Sequence, residues 1–168
     1  DQKIGLQVPI SAYLPELNAS WRDTVTVHHL LSHTSGLPRE SGIQACDELS
    51  FMEQLKLVET KSLLFSPGER YEYSNSGLIL LGAILEKVSN RSYEDFIQQE
   101  IIEPLGLTNT GCYQGRNVVD HQAVPYRFSA NGLETAQRSK HLGDNAGGGL
   151  YSTAADLYKF VLGLEAYK

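Results

Sequence analysis

PGERYEYSNSGLILLGAILEKVSNRSYEDFIQQEIIEPLGLTNTG, from Pro67 to Gly111, decides how this 168-residue chain folds. Pro67-Gly68 is a turn pair, and Arg70 to Tyr73 then alternates charged with aromatic residues, the period-2 pattern of an extended segment. From Asn75 to Val88 the apolar residues (Leu78, Ile79, Leu80, Leu81, Ala83, Ile84, Leu85, Val88) cover almost every face of a helix. A helix apolar all round is a buried one, so this spacing predicts a central helix with partners on several sides. Ser92 predicts the cap of a second helix over Tyr93 to Glu103, with Tyr93, Phe96, Ile97 and Ile101 in a stripe and with Pro104 and Gly106 as its stop.

Upstream, Asp1 to Leu17 carries Pro9 and Pro15 around a short apolar patch and reads as a loop with one helical turn. Thr26 to His33 predicts a short helix, with Val27, Leu30 and Leu31 on one face and Gly36 and Pro38 as stop signals. Ser50 predicts the cap of a helix through Glu59, with Phe51, Leu55 and Val58 aligned. Downstream, Val124 to Gln137 turns β-prone around Asn131-Gly132, a hairpin signal. Ser152 or Thr153 caps a last helix in which Leu157, Phe160, Val161 and Leu164 form the apolar face. The sum is five helices and one hairpin, a mainly α chain of the α+β class, read as one domain over residues 1–168. A doubly wound parallel sheet is disfavoured, because strands and helices do not alternate.

Composition narrows the function. Lys and Arg number 14 against 20 Asp and Glu, for a formal charge of −6, which argues against a nucleic-acid partner. Cys46 and Cys112 are too few for a disulfide framework and lack the spacing of a zinc site. The longest apolar run, Leu78 to Leu85, is far short of the roughly 20 residues that cross a bilayer. Asp1-Gln2-Lys3 leads into mixed polar sequence rather than the apolar core of a signal peptide.

Tyr73-Ser74-Asn75 is the strongest local candidate for chemistry, placed where the extended segment enters the buried helix. Side chains there sit on a rigid element at the positive end of the helix dipole, which suits stabilisation of developing negative charge. The bland alternative is that Ser74 or Asn75 only caps the helix and Tyr73 is a half-buried aromatic. A tyrosine ionises near pH 10, so it acts as a base at neutrality only beside a cation. Arg70 and Lys87 are the nearest basic residues in sequence. His29 and His33 stand i, i+4 with His28 adjacent, but the HEXXH glutamate is replaced by Leu30 and no third ligand is evident, so packing and capping are favoured over zinc. Ser35 beside His33 lacks a nucleophile elbow. Gly147-Gly148-Gly149 is no phosphate loop and reads as a tight backbone path. Asn18-Ala19-Ser20 and Asn90-Arg91-Ser92 fit the glycosylation tripeptide.

Three ordered stretches carry a family resemblance: HHLLSHTSGLP (His28 to Pro38), the quoted Pro67 to Gly111 run, and AGGGLYSTAADLYKF (Ala146 to Phe160). Together they resemble the serine β-lactamase and penicillin-binding protein superfamily, in the branch of class C β-lactamases, D-Ala-D-Ala peptidases and their esterase relatives. The resemblance implies acyl transfer through a serine acyl-enzyme on a β-lactam, D-Ala-D-Ala peptide or ester, without cofactor or metal. It assigns Tyr73 as the proton-transfer tyrosine and Asn75 as the hydrogen-bonding asparagine of the family's second motif, Ser74 being the intervening residue.

The first and third motifs are the departure. No Ser in the sequence has a Lys three positions later, and no Lys-Thr-Gly or His-x-Gly follows Phe160. The expectation is therefore an internal fragment, the helical portion of a β-lactamase/transpeptidase-like domain with most of the antiparallel sheet missing. It should be inactive alone and carry an uncovered helical face through which it can self-associate. By resemblance the full-length parent works in the bacterial periplasm or cell exterior. The competing expectation is a non-catalytic binding module on the same scaffold.

Overall fold

A computed structural model describes residues 4–39, 51–113, 119–136 and 146–166. The described residues form five α-helices: α1 (Val27–Leu31), α2 (Phe51–Glu59), α3 (Asn75–Ser89), α4 (Tyr93–Ile97) and α5 (Ala154–Ala166). Four short strands, β1 (Gly111–Cys112), β2 (Tyr126–Ser129), β3 (Gly132–Thr135) and β4 (Leu150–Tyr151), pair into two small antiparallel sheets, β1 with β4 and β2 with β3. The expected hairpin is the second of these, with Phe128 opposite Leu133 and Ser129 opposite Gly132. The β1–β4 pair joins residues so far apart in sequence that no local pattern announced it.

Helix α3 is central as expected: no residue from Asn75 to Glu86 is exposed. Its neighbours are α1, α2 and α4. Ile79, Leu80, Ala83 and Ile84 meet Leu30 of α1, Leu55 and Val58 of α2, and Ile10, Leu14, Leu17 and Trp21 of the opening segment in one cluster. Full burial of a side chain such as Leu80 or Ile84 is worth about 1.5–3 kcal/mol, so α3 is the axis on which the smaller elements depend. The opening segment is fastened by the Trp21 indole, which donates to the Lys61 carbonyl at 2.7 Å, and by a bridge between Pro9 and Thr26.

The helix ends differ from expectation in instructive ways. α1 stops at Leu31, two residues early, because His33 takes a left-handed backbone with φ of 54°. Its start is a capping box: the Thr26 hydroxyl accepts from the His29 amide, and the His29 ring accepts from the Thr26 amide. The helix over Tyr93 to Glu103 is α only to Ile97. A π-helical turn follows over Gln98–Ile102, where the Glu103 amide donates to Gln98 at 2.9 Å. The Ser92 cap holds, as does Thr153, whose hydroxyl accepts from the Asp156 amide at 3.3 Å. The Ser50 cap and Cys46 fall outside the described residues.

On α5 the buried residue is Asp156, while Leu157, Val161 and Leu164 are 56%, 49% and 55% exposed. Of the apolar stripe read from the sequence, Leu157, Val161 and Leu164 face outward while Phe160 is half-buried. Asp156 turns inward instead to hold the Thr108–Thr110 turn: its carboxylate accepts from the Asn109 amide at 2.7 Å and the Thr110 hydroxyl at 3.1 Å, with Lys159 at 3.0 Å. Among the described residues no helix is long and apolar enough to cross a membrane.

Candidate functional site

The site is built by the turn from His33 to Arg39, which grips the chain on both sides of Tyr73 through main-chain bonds. The carbonyl of Gly36 accepts from Leu64 and that of Thr34 from Gly68, each at 2.8 Å. The His33 carbonyl accepts from Glu72 at 2.8 Å, and the Arg39 carbonyl accepts from Asn75 at 2.9 Å. Gly36 permits the close approach. Its φ is +81°, and an added Cβ would collide with the Phe65 carbonyl oxygen. The HTSGLP stretch is thus the seat of the extended segment, which is why a histidine, two small hydroxyl residues, a glycine and a proline follow one another there.

Ser74 is the N-cap of α3. Its backbone is extended (φ −139°, ψ 112°), and its hydroxyl accepts from Gly77 at 3.1 Å while donating to the Pro38 carbonyl at 2.9 Å. Tyr73 and Asn75 stand on either side of this pinned residue. The capping alternative therefore applies to Ser74, and Asn75 is the first residue of the helix. Tyr73 is half-buried. Its ring meets the His33 imidazole at 4.7 Å between centroids, and the Arg39 guanidinium lies 5.3 Å from its centroid.

The basic residues nearest to Tyr73 in sequence, for which the spacing guaranteed no contact, are engaged elsewhere. Arg70 stacks on Phe65 at 4.1 Å and pairs with Glu69, and Lys87 pairs with Glu16 at 3.1 Å. Sequence reasoning missed Arg39 and His33 as neighbours of Tyr73, because both contacts span more than thirty positions and leave no local pattern. The only available signal was the shared resemblance of the two stretches that contain His33 and Tyr73, and Arg39 lies one position beyond the first of them.

His29 uses Nδ1 to accept from the Thr26 amide at 3.2 Å, and His33 uses Nδ1 to accept from the Ser74 amide at 3.2 Å. Burial, reinforced by neighbouring His28, holds the His29 imidazole below the usual histidine range despite an opposing contribution from the Thr24 backbone. Among the described residues no three His, Cys, Asp or Glu side chains gather as a metal site. Ser35 is buried, and its hydroxyl accepts from Leu37 at 3.3 Å, closing the turn. The glycine path lies beside α3: Ala146 packs on Gly82, and the Gly149 carbonyl accepts from Tyr113 at 2.6 Å.

A family model described as Beta-lactamase matches residues 1–167. Penicillin-binding protein 4* of Bacillus subtilis (strain 168) is 34% identical over 155 residues, covering 81% of this chain and 34% of its own length. The structure of a penicillin binding protein from Bacillus halodurans superposes with a TM-score of 0.81 at 27% identity, over 98% of this chain and 52% of that one. D-amino acid amidase from Ochrobactrum anthropi SV3 gives 0.83 at 26% identity, over 99% of this chain and 51% of the other. The chain spans about a third of the length of the curated relatives it matches and about half of these solved chains. The cradle of Tyr73-Ser74-Asn75 at the head of a buried helix, the shared fold and the match along nearly the whole sequence together make this chain a member of the beta-lactamase family.

Proposed function

We propose that this chain is the helical portion of a serine hydrolase that works through an acyl-enzyme on a β-lactam, a D-Ala-D-Ala peptide, or a related ester or amide. Tyr73 transfers the proton of the attacking hydroxyl, and Asn75 hydrogen-bonds the substrate. The attacking serine with its SxxK lysine, and the third motif, come from sequence beyond these 168 residues. The observation that carries this reading is the pinning of Ser74 by Pro38 and Gly77, which holds Tyr73 and Asn75 at the N-terminal mouth of α3, where the helix dipole favours negative charge. The relatives' names, penicillin-binding protein and D-amino acid amidase, support the substrate range.

The exposed stripe of Leu157, Val161 and Leu164 supports a second part of the proposal: the rest of the domain, mostly antiparallel sheet, covers the helical portion, and the chain alone self-associates through that face. A monomeric mass by light scattering at high concentration counts against it. We place the parent protein in the periplasm or cell exterior, with the class C-like bacterial members of the family.

The test pairs two proteins. The 168-residue chain, incubated with a chromogenic cephalosporin and a fluorescent penicillin, gives neither turnover nor a covalent mass increase, and either signal overturns the incomplete site. In the full-length enzyme, Tyr73→Phe lowers turnover by about 10²–10⁴-fold, the usual worth of a positioned proton-transfer group.

A further inference from the structure

We infer that His33 is the positioning residue for Tyr73, an assignment that rests on the reading of Tyr73 as the proton-transfer group. His33 touches the Tyr73 segment in three independent ways. Its carbonyl accepts from the Glu72 amide at 2.8 Å, its Nδ1 accepts from the Ser74 amide at 3.2 Å, and its ring packs on the Tyr73 ring at 4.7 Å with a tilt of 42°. One residue therefore fixes the backbone before and after Tyr73 together with the direction of its side chain. The same imidazole meets Tyr71 edge-on at 5.9 Å, so the alternation of aromatics at 71 and 73 places both rings against it.

The backbone of His33 explains why this residue can do all three. With φ of 54°, the chain leaves the helical path just after α1, and carbonyl and side chain both meet the extended 72–74 segment. Histidine and asparagine are among the few non-glycine residues that enter this region readily, and each carries an acceptor atom at the δ position. A proton-transfer group misplaced by about 1 Å loses on the order of 10²-fold in rate, which is the scale on which a positioning residue acts. Arg39 adds a second contact to the ring, its guanidinium 5.3 Å from the Tyr73 centroid, and its carbonyl accepts from the Asn75 amide at 2.9 Å, one residue beyond the Ser74 amide that His33 holds.

Two variants separate positioning from mere folding. His33→Gly tolerates the left-handed backbone but removes the acceptor and the ring, whereas His33→Asn keeps the tolerance and the acceptor and loses only the ring. In the isotope-labelled 168-residue chain, His33→Gly speeds amide exchange at Ser74 about fivefold or more and shifts the Tyr73 ring resonances. His33→Asn restores the Ser74 protection.

In the full-length enzyme, His33→Gly lowers kcat by about 10- to 100-fold with KM within about twofold, and His33→Asn recovers most of the loss. Unchanged Ser74 exchange in His33→Gly overturns the inference, as does equal loss of kcat in both variants. An unchanged kcat in His33→Gly, where Tyr73→Phe is impaired, overturns the positioning role and leaves the reading of Tyr73 intact. Full activity of Tyr73→Phe overturns that reading, and the role of His33 falls with it, whatever the exchange data show.

Discussion

The hydroxyl of Ser74 reaches the carbonyl of Pro38 at 2.9 Å while closing its own helix turn on the Gly77 amide, so one side chain joins the α3 cap to the turn that follows α1. The two segments meet across 36 positions of sequence. A serine serves where alanine does not, because the geometry needs an atom that donates and accepts at once.

Ser74→Ala removes both bonds. Loss of an N-cap costs about 0.5–2 kcal/mol, and a partly buried carbonyl left without its donor adds to that, so the variant should be less stable by about 1–3 kcal/mol. Urea unfolding followed by far-UV circular dichroism measures this as a lower midpoint at unchanged slope. An unchanged midpoint would contradict the link between the two segments.

Gly36→Ala attacks the same seat from the other side. The new Cβ would meet the Phe65 carbonyl oxygen, and the backbone at φ +81° penalises any side chain, so destabilisation of about 2 kcal/mol or more is expected. The displaced 63–68 segment should also carry Tyr73 with it. Shifted Tyr73 resonances in the variant check that consequence separately from stability.

Much of this arrangement was legible in the sequence, and the parts that were not share a cause. The burial of α3 follows from eight apolar residues spread around one helix, and the Ser92 and Thr153 caps follow from local hydrogen bonding. Local rules could not tell whether Ser74 or Asn75 caps α3, because both residue types serve, and the tie is broken by the distant Pro38 carbonyl. The same holds for the cation near Tyr73: sequence proximity left none assigned, Phe65 and Glu16 claim the nearest two, Arg70 and Lys87, and the fold brings Arg39. On α5 the periodicity marked an apolar face, and Leu157, Val161 and Leu164 on it are exposed, because an amphipathic stripe records that a face is apolar without recording what covers it.

Asp156 gives a pH dependence. Burial pushes its carboxyl up, but the Asn109 amide, the Lys159 ammonium and the Thr110 hydroxyl together hold it below the usual aspartate range. A depressed folded-state value means that the unfolded chain binds more protons near pH 4. The contribution of Asp156 is then present in full above about pH 5 and is lost as pH falls through the folded value. Asp156→Asn should be less stable than the parent chain at pH 7, with the gap narrowing as pH drops toward 3. Urea midpoints at pH 7, 5 and 3 read this directly, and a gap that stays constant with pH would exclude the carboxylate as its source.

Cys112 is the free thiol among the described residues, and its surroundings argue against reactivity. Burial, with the Glu94 carboxylate adding to it, pushes the thiol up to about 11. At pH 8 only on the order of one thiol in a thousand is then ionised, against roughly one in four for a free cysteine with a pKa near 8.5. Since the thiolate is the attacking form, alkylation by iodoacetamide at pH 8 in a Cys46→Ser background should run at least about 100-fold slower in the folded chain than in urea, and burial slows it further. The folded rate should climb tenfold per pH unit up to about pH 10 while the unfolded rate levels off near pH 9. Mass spectrometry of the labelled fraction against time at pH 7, 8 and 9 makes the comparison. Rapid labelling of folded Cys112 at pH 7 would place an activated thiol on β1 and reopen the choice of nucleophile.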